Sequence, residues 1–352
     1  MTERRITLGD VARAAGVSRT TASFVLAGRT DMRISPATQE RVVAVATEMG
    51  YRYNVTARSL RTRKTQTLGF VSDTIATTPF AGEAVRGALD AARKRGHLLF
   101  VAETGGDPQT EIDLVNGMLD RGVDGVIYAS MYTREVTPPP QLAGRPVALL
   151  NCLAPGFEAP SVVPDEAQAG RDAAQLLLDA GHTEGIYAIG GRHALPSTPN
   201  GVFAGNERLA GLREVLGGAG VRLADLVECE WAVEDGYREV SELLLAGARP
   251  QALVCANDRL AFGVYQALAE GGLRVGSDVS VVSFDDQDLA SWLRPGLTTL
   301  AIPHYNLGQV AVELVCAPRP GDAKSHRLPM PVRQRESVRG GAPSPEGDTA
   351  AD

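Results

Sequence analysis

A chain of 352 residues, 44% of them apolar and 22% charged, is long enough for more than one domain with a well-buried core. No run of about eighteen apolar residues occurs, which excludes a membrane-spanning helix, and the opening Met1-Thr2-Glu3-Arg4-Arg5-Ile6-Thr7-Leu8 lacks the apolar stretch of a secretory signal. The four cysteines, Cys152, Cys229, Cys255 and Cys316, are far apart and mostly in apolar segments; they read as reduced, buried thiols of a cytoplasmic protein, with neither a disulfide framework nor a metal site.

The net charge of −7 hides an asymmetry. Residues 1–65 carry twelve basic and five acidic side chains, a formal +7, which leaves −14 on the remainder. A small basic head on a large acidic body suits a head that meets a polyanion. A chance excess of surface arginine would look the same, so charge alone decides nothing.

The head reads as three short helices. Thr7 is placed to cap a helix from Leu8 to Ala15, and Gly16 offers the positive φ of a tight turn. Ser18 caps a second helix, Arg19-Thr20-Thr21-Ala22-Ser23-Phe24-Val25-Leu26, ended by Gly28. Ser35 and Pro36 open a third, with Val42, Val45, Ala46 and Met49 at helical spacing and Gly50 as its stop. This is a helix-turn-helix pattern. The start of the second helix is then free to reach base edges in the major groove, Arg19 toward a guanine and Thr20 toward a thymine methyl. A generic three-helix bundle with solvated polar faces is the competing reading.

Beyond residue 66, apolar strand-like runs alternate with amphipathic helical ones. Strands are expected at Leu68–Val71, Leu98–Val101, Gly125–Tyr128, Val147–Leu150, Ile186–Ile189, Leu226–Trp231, Ala252–Cys255 and Val279–Phe284. Helices are expected near 80–95, 109–120, 169–179, 207–216, 235–245 and 260–270. Such alternation implies parallel sheets covered on both faces. There are too many strands for one comfortable domain, and a Pro/Gly-rich break near Pro160–Pro164 divides them, so two doubly wound lobes with a ligand cleft between them are expected. Ligands meet such sheets at the carboxyl ends of strands, where Asn257-Asp258 and Asp285-Asp286 fall. Asp258 also reads as a helix N-cap, and the Asp285-Asp286 pair as a polar loop.

The run Ile6-Thr7-Leu8-Gly9-Asp10-Val11-Ala12-Arg13-Ala14-Ala15-Gly16-Val17-Ser18 resembles the opening of the lactose-repressor/galactose-repressor (LacI/GalR) family. Gly50-Tyr51-Arg52-Tyr53-Asn54-Val55-Thr56-Ala57-Arg58-Ser59-Leu60-Arg61-Thr62 resembles the end of its DNA-binding head and its hinge helix. The likeness runs on through Ala180-Gly181-His182, Asn206–Gly211, Val254–Asp258, Gly272–Asp286 and Leu297–Leu300, covering about residues 5–338. It implies a helix-turn-helix head at 1–52, a hinge helix and linker at 53–65, and a periplasmic-binding-protein-like, effector-binding and dimerisation core at 66–338. The core would have one lobe of about 66–163 plus 302–327 and another of about 164–301 plus 328–338, with a disordered tail at 339–352.

The resemblance also implies roles. Thr7, Ser18, Arg19, Thr20, Thr21, Phe24, Asn54, Ala57, Arg58 and Leu60 would contact DNA, Leu60 as a wedge into a central base step of the minor groove. Phe24 stands where the family usually carries a guanine-reading arginine, and a phenyl ring donates no hydrogen bond, so an unusual half-site is expected. Arg208, Asn257 and Asp285 match the family's effector-binding arginine, asparagine and aspartate, and Trp231 falls where some members lay a ring against a sugar. Asn151 and Ile302 replace a frequent aspartate and glutamine, which points to a pocket less acidic and more apolar than a typical sugar site.

The family implies a homodimeric repressor on a palindromic operator, controlled by a small molecule such as a sugar or polyol that acts as an inducer or, in the alternative, as a corepressor, with no cofactor. Two other classes fit the chain less well. A transported-solute receptor would need an export signal and no basic head. An enzyme is disfavoured because no Gly-rich phosphate loop, zinc spacing or Gly-x-Ser-x-Gly elbow occurs, and the Asp285-Asp286 pair has no partner nucleophile.

Overall fold

The computed structural model describes residues 6–26, 33–51, 64–78, 81–191, 200–317 and 325–340. It divides into two compact units, residues 1–65 and residues 66–352.

The first unit is built from α1 (Leu8–Ala14), α2 (Arg19–Leu26) and α3 (Pro36–Glu48). Thr7 closes a capping box on α1: its hydroxyl accepts from the Asp10 amide, and its own amide donates to the Asp10 carboxylate at 3.0 Å. Ser18 Oγ accepts from the Thr21 amide at 3.0 Å, and Ser35 Oγ from that of Thr38, so two orphan donors are met where the sequence placed caps. Gly16 and Gly50 have φ of +65° and +64°, the left-handed turns a Cβ would oppose. Val11, Ala12, Ala15, Ala22, Val25, Val42 and Ala46 form the buried core. Arg41 Nε ties α3 to the end of α1 through the Ala15 carbonyl. Gly28, expected to stop α2, lies outside the described residues, as do Asn54, Ala57, Arg58 and Leu60.

In the second unit the elements follow as β1 (Thr67–Ser72), α4 (Gly82–Lys94), β2 (Leu98–Glu103), α5 (Pro108–Asp120), β3 (Gly125–Glu135), β4 (Val147–Leu153), β5 (Ser161–Pro164) and α6 (Glu166–Asp179). Then come β6 (Ile186–Ile189), α7 (Ala204–Gly218), β7 (Asp225–Val227), α8 (Val233–Leu245), β8 (Ala252–Cys255), α9 (Asp258–Glu270), β9 (Ser280–Asp285), α10 (Asp288–Trp292), β10 (Thr298–Ala301), α11 (His304–Cys316), β11 (Ser325–Leu328) and β12 (Val332–Arg333). Two six-stranded sheets result, ordered β11-β5-β4-β3-β1-β2 and β12-β10-β9-β8-β6-β7. Among the described residues, every strand pairing within the two sheets is parallel except that of β12 with β10.

Six of the covering helices meet in three pairs, and each pair is cut to fit by a glycine on either side. On α4 and α11, a Cβ at Gly87 would fall 2.0 Å from the Tyr305 carbonyl oxygen, and one at Gly308 2.0 Å from that of Ala84. Gly170 and Gly211 do the same for α6 and α7, as Gly236 and Gly263 do for α8 and α9. Backbones this close leave no room for any side chain, so the three crossings are fixed by residue size.

Three expectations are corrected. The Pro160–Pro164 break is the buried strand β5, flanked by β4 and β11; its prolines stand before the strand and at its last residue, leaving the amides of Ser161, Val162 and Val163 free to pair. The strand expected over Leu226–Trp231 stops at Val227. The cap of α9 is Asn257, whose side chain accepts from the Leu260 amide at 2.8 Å, and Asp258 is the first helical residue. β3 also runs on to Glu135, with a register shift between Ala129 and Arg134. Its far end meets the second lobe, where Glu135 N donates to Gly201 O and Phe203 N to Thr133 O.

Candidate functional site

In the head, Ser18, Arg19 and Thr20 are exposed at the start of α2, while Ala22 and Val25 bury its other side. Thr21 is half-buried, its amide and hydroxyl engaged with Ser18. Phe24 is half-buried on the same helix, and Thr7 is exposed at its cap.

In the core, the six residues picked as effector ligands fall into one connected network at strand ends and helix starts. Arg208, 5% exposed on α7, donates through Nε to Glu166 Oε2 at 2.6 Å and through Nη1 to the Ala256 carbonyl at 2.6 Å. Its Nη2 is 3.7 Å from Asp285 Oδ1 at the end of β9. The guanidinium carbon also lies 4.6 Å from the Phe284 ring centroid and 5.5 Å from that of Trp231, a cation–π arrangement. Burial alone would pull the charge off this group; the carboxylates of Glu166 and Asp285 outweigh it and push the Arg208 pKa up.

Trp231 is fixed by its indole N–H, which donates to the Gly190 carbonyl at 2.5 Å. Its own carbonyl accepts from Asn257 Nδ2 at 3.3 Å. Asn151, buried on β4, donates to the carbonyls of Ser130 and Met131 and accepts from Thr133 Oγ1 at 2.8 Å. Thr133 in turn lies 3.1 Å from Glu166 Oε1, so a polar relay runs from the first sheet through Glu166 to Arg208. Ile302, just past β10, packs against the apolar cores of both lobes, and its amide reaches the Asp285 carbonyl.

Asp258, wholly buried, accepts from the Gln287 amide at 2.7 Å and from Thr299 Oγ1 at 2.8 Å. Burial, with the Asp285 charge nearby, pushes its carboxyl up to about 8. Asp285 is pushed up to about 6, again by burial, with Arg208 opposing. Asn151, Asp285 and Asp286 all hold positive φ, at 57°, 107° and 55°; backbone strain of this kind, about 1–3 kcal/mol each, gathers at sites where the surrounding structure over-determines the chain.

Glu166 was missed by sequence reasoning, and with it the acidity of the place. Three carboxylates, Glu166, Asp258 and Asp285, meet in this cluster. The only local signal of Glu166 is its place in the first turn of a helix, and nothing near it in the chain announces its partner Arg208. A cavity of about 490 Å³ opens elsewhere, at the carboxyl ends of β1, β2 and β3, with Asp73, Glu111, Tyr128 and Arg134 in its wall. None of the six residues lines it. Among the described residues no group of His, Cys, Asp or Glu is placed to hold a metal ion, and no helix is long and apolar enough to cross a membrane.

A helix-turn-helix reader joined in one chain to a two-lobed α/β core with a polar cluster at its strand ends defines a ligand-responsive DNA-binding regulator. Residues 7–54 match the family model for bacterial regulatory proteins, lacI family, and residues 174–338 that for a periplasmic binding protein-like domain. The chain is 33% identical to the ribose operon repressor of Escherichia coli (strain K12), over 94% of this chain and 96% of that one. Among solved structures it is similar to the lac repressor dimer bound to operator and the anti-inducer ONPF, with a TM-score of 0.76 and 25% identity, covering 96% of this chain and all of that one. It is similar also to the CelR–cellobiose complex, with a TM-score of 0.63 and 29% identity, covering 95% and 100%. The chain belongs to the lacI family of bacterial regulatory proteins and is a DNA-binding regulator of transcription.

Proposed function

We propose that the protein is a cytoplasmic repressor, without enzymatic activity, that binds a near-palindromic operator as a homodimer and leaves it when a sugar or related polyol occupies the core. The reading is carried by the Arg208–Asp285–Trp231 cluster: a guanidinium, a carboxylate and an aromatic ring converge at strand ends, where doubly wound sheets take ligands. Asn257, Asn151 and Ile302 complete the effector set, the last at the crossing between lobes. Similarity to the ribose operon repressor and to CelR with cellobiose supports a sugar-like effector.

On the DNA side, Ser18, Arg19, Thr20, Thr21 and Phe24 are the major-groove readers and Thr7 a phosphate contact, with Asn54, Ala57, Arg58 and Leu60 of the hinge in the minor groove. The reader spans residues 1–52, the hinge and linker 53–65, the core 66–338 and a tail 339–352. Exposed Leu98 and Phe100 on the edge strand β2 offer an apolar strip suited to a second copy. The effector acts only through unequal affinity for two arrangements of the lobes.

Selection of bound fragments from a genomic DNA pool by the full chain, with and without a panel of sugars, tests the reading. A recurrent inverted repeat, lost from the selected pool when one sugar is added, is the expected result. Enrichment of no sequence would overturn it.

A further inference from the structure

The start of α7 is packed into the second lobe and tied to the first. Leu209, Leu212 and Leu216 of this helix lie in the apolar core of the second lobe, while Glu207 is gripped by Arg327 on β11, the edge strand of the first sheet. The grip is a fork: Arg327 Nη1 donates to Glu207 Oε2 at 2.6 Å and Nη2 to Oε1 at 2.8 Å, a geometry that fixes angle as well as distance. Glu207 above all, with Asp165 and Glu166 adding to it, raises the Arg327 pKa. One turn earlier, the backbone before α7 is strapped to the same lobe. Phe203 N donates to Thr133 O at 3.1 Å and Glu135 N to Gly201 O at 2.9 Å, with Arg134 and Val202 bridged between them. Gly201 holds a φ of +80°, and a Cβ on it would come 2.8 Å from the Glu135 carbonyl oxygen, so the strap needs glycine there. Arg208, next to Glu207 in the chain, faces the other way, into the Asp285 cluster.

We propose that the Arg327–Glu207 pair is a latch between the lobes: it holds the first turn of α7, and with it Arg208, to the first lobe, and a change in lobe arrangement requires it to part. Of the two ties, the ion pair is the adjustable one. Both of its side chains are part-exposed, so parting them returns each charge to water, and such a pair is worth about two- to fivefold in an equilibrium. That biases the lobes without locking them. A hinge rotation of one lobe on the other moves β11 against α7, and a planar fork tolerates such rotation poorly. An effector acts only through unequal affinity for two arrangements, so a latch made of residues outside the effector set tunes how much effector is needed. That bearing on the effector rests on the Arg208–Asp285 cluster being the effector site; the latch itself does not.

Hydrogen–deuterium exchange of the full chain, free of DNA and in neutral buffer, tests the latch at the amides of Glu135 and Phe203, whose hydrogen bonds cross between the lobes. Arg327→Gln and Glu207→Gln should each speed both amides by about two- to fivefold and leave those of β8, inside the second sheet, unchanged. The double variant should match the single ones, because two residues that act only through each other are not additive. Unchanged exchange at Glu135 and Phe203, equal acceleration in β8, or additive effects in the double variant would each overturn the latch. Calorimetric titration with ribose, glucose and cellobiose tests its bearing on the effector: a sugar that binds the parent should bind both single variants with a Kd shifted by the same factor. An identical Kd in variants that exchange faster would overturn the tuning role. Binding by none of the three would count against the effector reading, and the latch would stand or fall on exchange alone.

Discussion

Gly170 on α6 lies against the backbone of Arg208 on α7, so close that a Cβ there would sit 2.0 Å from the Arg208 carbonyl oxygen. Glu166 stands one turn earlier on the same helix and holds the Arg208 side chain. The helix crossing and the buried ion pair are thus one device, in which the packing of α6 on α7 sets the reach of the guanidinium.

Replacing Gly170 with alanine should push the helices apart and lower the stability of the core by about 1–3 kcal/mol. Chemical denaturation followed by far-UV circular dichroism measures it. Stability equal to the parent's would mean the crossing tolerates a methyl group, and the role assigned to Gly170 would be wrong.

Glu166→Ala should cost more, about 3–5 kcal/mol, because it leaves the Arg208 charge buried with its nearest partner gone. Glu166→Gln, which retains an acceptor for Arg208 Nε, should fall between this variant and the parent. Equal stabilities for the two variants would show that the glutamate charge, and not the hydrogen bond that glutamine retains, holds Arg208 in place.

The raised carboxyl groups fix a pH dependence. In the unfolded chain Asp258 and Asp285 titrate near pH 4, and in the folded chain burial moves them up to about 8 and about 6. Between those limits the folded state binds more protons than the unfolded one, so this pair contributes stability that is complete below pH 4 and fades as the pH rises toward about 8. Asp258→Asn removes the larger share and should gain at least about 1 kcal/mol over the parent at pH 8 relative to their difference at pH 5. Parallel stability–pH curves for the two proteins would contradict this.

In the head, Arg19→Ala should erase preference at one operator position, worth about 1–3 kcal/mol. Affinity measured on a set of single-base operator variants reads this directly. A uniform loss across all of them would make Arg19 a phosphate contact.

Much of this was legible in the chain because local chemistry and fold agree. Ser35-Pro36 opens a helix, Gly16 and Gly50 turn the backbone, and alternating apolar runs in the core become parallel strands under helices. β5 was hidden because Pro160 and Pro164 look like a break, when each merely avoids the ladder positions that need an amide. The cap of α9 was misplaced by one residue because Asn257 and Asp258 are chemically alike in that role, and only the partners Gln287 and Thr299 distinguish them. Glu166 was invisible for a different reason. A lone glutamate at a helix start reads as solvated, and the guanidinium that gives it meaning lies 42 residues along the chain. Arg208, Asn257 and Asp285 were found through family resemblance, since nothing local to each signals that they converge.

The most direct test of the whole account is fluorescence anisotropy of the full chain on a selected operator duplex, at moderate salt, against excess unrelated DNA and with a binding sugar titrated in. The account predicts operator binding that resists the competitor and collapses as the sugar saturates the core. Binding that competes equally with unrelated DNA, or that no ligand of the core changes, would contradict it.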